Sequence, residues 1–392
     1  LLDNKVLTPA ELKAIQKEIV DRIDAAAVAA DAEPQQDAAN LLNHVYSPTI
    51  AVPKAGFVAP VHEGEKIVMV DAINHAMAEE LERNPRILVY GEDVGGDKGG
   101  VFTATKGLTK RFGWERVFNS PLAEASIVGT AFGLAVRGFK PVVEIQFGDY
   151  IWPAFMQLRD EVAMLRFRSN NDWSCPMVVR VAVGGYIHGG LYHSQSIDGF
   201  FTHIPGLRVV YPSNAADAKG LLKTAARSDD PVIFCEHKGL YRASFAAAPE
   251  PGAEYCLPFG LANTVRPGSD ITILTWGMMV QRSLEAAREL SDRGVDAEVI
   301  DLRTLNPLDI ETIMDSVRKT GKVLIVHEDT LTGGFGAEIA ALIAQDGFRF
   351  LDAPVRRVAA KDAPIPYGPA LENAMLPQST DIVRALEELA AF

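Results

Sequence analysis

The sequence predicts an α/β protein built from two doubly wound parallel-sheet domains. Two observations carry this expectation. Short apolar runs alternate with helical repeats in two successive series, and the runs are near-continuously apolar, as strands covered on both faces must be. Between the series, residues 249–259 hold three prolines and a glycine in eleven positions, which reads as a linker. With 392 residues, 48% of them apolar, each series has enough material for its own core. The expected division is a helical tail and connector at 1–60, a first domain at 61–245 and a second at 246–392.

The elements follow in order. Thr8-Pro9-Ala10-Glu11 is a capping box with proline at the first helical position, and Leu12, Ile15, Ile19 and Ile23 repeat at helical spacing as one apolar stripe. Pro34 ends that helix, and Pro34, Pro48, Pro53 and Pro60 punctuate an extended connector. A lone striped helix needs a surface to dock on, either the main body or a partner. In the first domain, strands are expected at 86–90, 141–147, 177–183, 207–211 and 232–236, with helices at 70–83, 124–137, 150–168 and 214–227. In the second, strands at 271–275, 298–301 and 323–327 alternate with helices near 280–293, 309–319 and 335–344.

Composition narrows the function. Acidic residues outnumber basic ones by 51 to 38, and such an anionic chain repels phosphate backbones, so no nucleic-acid partner is expected. No apolar run approaches the roughly 18–20 residues that span a bilayer, so no membrane span is expected either. Cys175, Cys235 and Cys256 are too scattered for a disulfide framework and form no CxxC pair. A reducing compartment suits them, bacterial cytoplasm or mitochondrial matrix. The sequence opens at Leu1 without methionine, from which a longer translation product is expected.

Open parallel sheets bind ligands beyond the carboxyl ends of their strands, so the loops there carry the search. GEDVGGDKGG (91–100) has five glycines, but Glu92, Asp93 and Asp97 make it a poor phosphate cradle; a mobile or interface loop is expected. NSPLAE (119–124) precedes a helix whose Ser126, Gly129, Thr130, Ala131, Gly133 and Ala135 allow close approach of another backbone. Glu124 stands at the start of that helix, where the dipole favours an anion; a plain helix-terminus carboxylate is the alternative role. GGYIHGGLYHSQS (184–196) combines four glycines with His188 and His193. Acid–base catalysis, structural use, and a metal pair with Asp198 as third ligand all stay open for these histidines.

At these motifs the chain resembles the β subunit of the thiamine-diphosphate-dependent 2-oxo acid dehydrogenases. The resemblance is carried by VDAINHAMAEEL (70–81), GEDVG (91–95), NSPLAE (119–124), EIQFGDYIWPAF (144–155), YHSQS (192–196), PGLRVVYPSNAADAKGLL (205–222), VIDLRTLNPLD (299–309) and HEDTLTGGFGAEI (327–339), and runs from about Lys66 almost to Phe392. EIQFGDYIWPAF and LYHSQS are more similar to the branched-chain enzymes than to the pyruvate enzymes. Residues 11–46 are similar to the C-terminal tail of the family's α subunit, which implies an α–β fusion of which this is the β half. The implied domains are of the transketolase pyrimidine-binding and transketolase C-terminal kinds.

The resemblance also implies roles. Glu124 would exchange a proton with the cofactor's aminopyrimidine, with Leu122, Gln146 and Tyr150 lining that side; core packing and sheet-end hydrogen bonding are the alternatives for these three. His193 would be the acid that helps open the lipoyl disulfide of a dihydrolipoyl acyltransferase, with Ser194 and Gln195 available to fix its tautomer. The family's diphosphate motif, GDG…NN, is missing: Gly148-Asp149 is followed by Tyr150, Asn170-Asn171 comes too soon, and the expected helix at 150–168 would have to be given up to make the turn. No metal ligands are therefore assigned here, and the α partner is expected to hold Mg2+ and the diphosphate. Two α and two β halves are expected, with β–β self-association near the small-residue face after Glu124. The family's potassium site lacks its side-chain ligands around 225–230, leaving at most a carbonyl-rich version. Rival readings are a pyruvate enzyme, a transketolase-like synthase and a non-catalytic assembly module.

Overall fold

A computed structural model describes residues 1–34, 37–61 and 63–392; Gln35 and Gln36 of the expected connector lie outside it. The described chain forms two compact units, Leu1–Asn43 and His44–Phe392. The first is organised by helix α1 (Pro9–Asp31). Its capping box is made as the sequence implies: the Thr8 hydroxyl accepts from Glu11 N at 3.2 Å, and the Glu11 carboxylate accepts from Thr8 N at 2.7 Å. None of the residues of α1 is buried, and its stripe of Ile15, Ile19 and Ile23 is exposed.

The second unit begins with strand β1 (Lys66–Ile67) and helix α2 (Met69–Arg83), followed by β2 (Ile87–Gly91), α3 (Leu108–Phe112), β3 (Val117–Asn119), α4 (Glu124–Val136) and β4 (Lys140–Ile145). Then come α5 (Leu165–Arg168), β5 (Val178–Val183), α6 (Asp198–Thr202), β6 (Arg208–Val210), α7 (Ala215–Arg227), β7 (Val232–His237) and β8 (Ala248–Pro249), the last paired antiparallel with β1. Six of these strands run parallel in the order β6-β7-β5-β4-β2-β3. Alternation along β2 shows why its run is apolar throughout: Ile87 and Val89 join the core on one face, Leu88 and Tyr90 that on the other. Helices α2 and α7 pack together over the first face, and α4 covers the second.

A second sheet, β14-β13-β10-β11-β9, comprises β9 (Asn263–Arg266), β10 (Ile271–Thr275), β11 (Ala297–Asp301), β13 (Val323–Thr330) and β14 (Arg356–Ala360), parallel except for β9. Helices α8 (Met278–Ser291) and α12 (Ser379–Ala390) pack together, while α9 (Ile310–Thr320) and α10 (Gly336–Asp346) join the other core; α11 (Pro369–Met375) precedes α12. Strand β12 (Thr304–Asn306) leaves this sheet and pairs antiparallel with β6, so the two sheets share a chain segment. Arg303 reinforces that junction with two 2.8 Å bonds to Asp217. The two α/β domains match the predicted fold class.

One expected element is not continuous. The helix anticipated at 150–168 is broken into tight turns at Gly148–Tyr150 and Trp152–Ala154, a wide turn at Gln157–Val162, and α5. Pro153 lacks the N–H a helix interior needs and its ring crowds the preceding turn, so the chain restarts there. The three cysteines are buried and unpaired. Among the described residues, no helix is long and apolar enough to cross a membrane.

Candidate active site

The winding of the first sheet reverses at β2, which has β3 on one side and β4 on the other. Strand ends splay at such a point, and the crevice between them is where these sheets take ligands. Gln146, just past β4, spans it: its Nε2 donates to the Glu92 carbonyl and to Asp93 Oδ2, each at 3.3 Å. Deeper in the strands, Arg180 of β5 is fully buried between Glu144 at 2.7 Å and Glu236 at 2.7 and 2.8 Å, and the Tyr241 hydroxyl donates to Glu236. Removing one member of such a buried set costs about 3–5 kcal/mol, because the rest are left charged and dry.

Glu124 is the first residue of α4, and Ala123 before it supplies no side-chain cap. The helix start therefore presents free N–H groups and the positive end of its dipole to the crevice. Among the described residues no donor reaches the Glu124 carboxylate. Its charge is felt by Glu92, whose pKa is raised first by burial and then by Glu124 and Asp93. Glu92 Oε1 is buried without a hydrogen-bond partner. Glu92 was visible in the sequence only as one acid in a glycine-rich loop, with nothing to single it out. Leu122, expected beside Glu124, is 83% exposed.

The third corner is His193. Its Nε2 lies 2.7 Å from the Tyr150 hydroxyl, and the Phe147 ring meets the imidazole edge-on at 4.6 Å. Burial, together with the charges of Asp149, Glu124 and Glu92, raises the Tyr150 pKa. The phenol and Nε2 are hydrogen-bonded to each other, with the donor set by the ring's tautomer, and in either sense the tyrosine fixes the orientation of the imidazole. Neither Ser194 nor Gln195, expected to fix the tautomer, hydrogen-bonds to the ring. The Ser194 hydroxyl is buried without a partner, Gln195 N donates to Asp149 Oδ2 at 3.3 Å, and Gln195 Nε2 donates to Leu191 O. Lys238 lies nearby, 5.7 Å from the Phe147 ring; burial pulls its pKa down to about 7 against the opposing pull of Asp149 and Glu328.

Other candidates resolve differently. His188 does not pair with His193: its Nδ1 contacts Glu372 at 2.5 Å. Asp198 is wholly buried, its pKa raised by burial and by Asp329. Among the described residues, no three His, Cys, Asp or Glu side chains form a metal-binding group. The 91–100 loop is tied into the domain rather than loose, with Gly95 N on Asn119 Oδ1 at 2.6 Å and Gly96 N on Thr109 Oγ1 at 2.9 Å. At the carbonyl cluster of 227–229, the Lys140 ammonium already donates to Arg227 O, Ser228 O and Asp229 Oδ1 at 2.9–3.3 Å. A cleft of about 800 Å³ lies between Phe155 and Phe200 on one side and Gly333, Gly334 and Phe335 on the other, and Glu124 and His193 are not in its lining.

Two family models match, the transketolase pyrimidine-binding domain over residues 65–244 and the transketolase C-terminal domain over 260–382. A 2-oxoisovalerate dehydrogenase β subunit from Bacillus subtilis is 50% identical over 324 residues, 82% of this chain and 98% of the relative. The chain belongs to the β subunits of the 2-oxo acid dehydrogenases. Another member, a pyruvate dehydrogenase E1 component subunit beta from Staphylococcus epidermidis, is 45% identical, covering 83% of this chain and 99% of its own. A solved structure, a split-gene transketolase in an inactive beta4 tetramer, superposes with a TM-score of 0.68 at 25% identity, covering 83% and 99% of the two chains. A β subunit of this family is thus a pyrimidine-binding domain followed by a C-terminal domain, the order of the two sheets here.

Proposed function

We propose that this chain is the β half of a lipoamide-linked dehydrogenase for branched-chain 2-oxo acids of the 3-methyl-2-oxobutanoate type, active only with an α partner. The observation that carries the reading is the crevice itself, where a carboxylate without a donor, Glu124, and a tyrosine-oriented imidazole, His193, open onto one strand-end reversal. The 50% identity to the 2-oxoisovalerate enzyme supports the substrate class. A pyruvate substrate is the second reading, supported by the 45% relative.

The donor set fits the pyrimidine side of thiamine diphosphate, since Glu124 and Glu92 Oε1 both lack partners and Gln146 brings an amide to the same place. Glu124 would hold the pyrimidine ring nitrogen, with Gln146 and Leu122 beside it. When bound, thiamine diphosphate supplies the electron sink for the pair released with carbon dioxide. Mg2+ and the diphosphate fall to the α partner in this scheme, since the GDG…NN motif that would hold them is broken here, with Tyr150 following Gly148-Asp149. Potassium is left out, since Lys140 serves the carbonyls at 227–229. His193 protonates the sulfur that leaves when the lipoyl disulfide of a dihydrolipoyl acyltransferase opens, while Tyr150 holds Nε2.

The wider scheme is an α–β fusion with 1–60 as its α-like tail and connector, 61–245 and 246–392 as the two domains, and β–β contact near α4. The matched spans 65–244 and 260–382 support that division. The test is His193→Ala in the enzyme assembled with its α partner and assayed on a panel of 2-oxo acids. Reductive acylation of lipoamide should fall about 10²–10⁴-fold, while decarboxylation coupled to an artificial electron acceptor persists. Equal loss of both would reduce His193 to a pocket-shaping residue, and a preference for pyruvate would promote the second reading.

A further inference from the structure

The loop that carries His193 is held from the other domain. Gly184 has φ +87° and lies against the His237 ring, so close that a Cβ there would stand 2.2 Å from Nε2. At Gly185 a Cβ would stand 2.5 Å from Leu376 Cδ1, and the Gly185 N–H donates to Glu328 Oε1 at 2.6 Å. The same Glu328 accepts from His237 Nε2 at 2.6 Å, while Gly239 N donates to His237 Nδ1. The Tyr186 hydroxyl donates to Pro377 O at 2.6 Å. His188 completes the set: its N–H faces both oxygens of Glu372 at 3.2 and 3.3 Å, and its Nδ1 contacts Oε2 at 2.5 Å.

Two features make Glu372 more than a packing residue. It is fully buried, and within the described residues its only side-chain partners are those two groups of His188. A dry carboxylate is costly unless its donors are in place, so the loop and Glu372 stabilise one another. Tyr186 and His188 also sit at φ +61° and +56°, a region side chains other than glycine enter only when their surroundings hold them there. Released from Glu372, the loop has no reason to keep that shape. Five residues after His188, it delivers His193 to Tyr150.

We infer that Glu372, on α11 of the C-terminal domain, is a positioning residue for His193, acting through the backbone and imidazole of His188. This rests on the role proposed above for His193. It gives the C-terminal domain a task in the acyl-transfer step: it sets the aim of an acid borne by the other domain.

The test is Glu372→Gln in the enzyme assembled with its α partner, read by amide hydrogen exchange and by the two half-reactions. Glutamine keeps the shape but turns one acceptor into a donor facing His188. Exchange across 185–192 should rise about tenfold. Reductive acylation of lipoamide should fall on the order of 10–100-fold, with acceptor-coupled decarboxylation within about twofold of the parent. His188→Ala, at a half-exposed side chain, should move both readings the same way by less, and it decides the matter should Glu372→Gln not fold. Unchanged exchange in the folded variants, or equal loss of both half-reactions, overturns the inference. His193→Ala runs beside them: if it leaves acylation intact, the proposed role of His193 fails, and loop exchange still judges whether Glu372 holds the loop.

Discussion

The two sheets of this chain present the same topological opportunity and use it oppositely. In the first, winding reverses at β2 and the crevice holds carboxylates without donors, Glu92 and Glu124. In the second it reverses at β10, between β11 and β13, and stacked rings lie at the strand ends. Trp276 and His327 stack there at 5.5 Å with parallel rings, and Gly334 and Gly336 close over the imidazole so tightly that a Cβ on either would stand about 2.6 Å or less from it. Burial takes the His327 pKa down to about 4, so this ring is neutral at pH 7 and part of the core. Thr332 turns its N–H and hydroxyl to Asp362 rather than to a ligand. Buried polar atoms without partners occur at both reversals, Glu92 Oε1 at the first and Thr275 Oγ1 and both His327 ring nitrogens at the second; what sets the first apart is a carboxylate at a helix start facing an oriented imidazole.

Changes at each crevice can break that contrast. Glu124→Gln should have the largest effect, lowering decarboxylation by the assembled enzyme about 10²–10⁴-fold with little change in melting temperature. A variant that melts much lower at near-normal activity would make Glu124 a structural carboxylate. Trp276→Ala should do the reverse, destabilising the chain by about 3–5 kcal/mol in urea titration while the folded fraction keeps its activity. Full stability with lost activity would mean that the second crevice is a site as well.

The smallest expected effect is one of pH, at Lys238, which faces Asp149 and Glu328 from the edge of the first crevice. Its folded pKa of about 7 lies below the unfolded value of about 10.4, so between these the unfolded chain binds the extra proton. Stability contributed by this lysine therefore rises with pH across that window. Lys238→Met should flatten the rise in urea midpoint from pH 7 to 9.5, and an unchanged slope would refute a buried, neutralised lysine.

Much of the fold was legible in sequence because strands buried on both faces are largely apolar, as at 178–183 and 232–237, where only Arg180, Glu236 and His237 interrupt the runs. The missed strands, β1, β3, β8, β9, β12 and β14, are short or lie at an edge, and only partners distant in sequence make them strands. Pro153 marks the break in the expected 150–168 helix. At the site, the place of Glu124 at a helix start was legible, while a role for it came only with the family resemblance. The Tyr150–His193 bond, the Arg180 ion set and the His188–Glu372 contact join residues 36 to 184 positions apart, which periodicity does not reach.

The central claim is that this chain brings one side of a shared cofactor site. Calorimetric titration of thiamine diphosphate with Mg2+ into the chain alone and into the chain mixed with its α partner tests it most directly. The account predicts no measurable heat and no decarboxylation from the chain alone, with both appearing once the partner is added. Tight binding and turnover by the chain alone would contradict it.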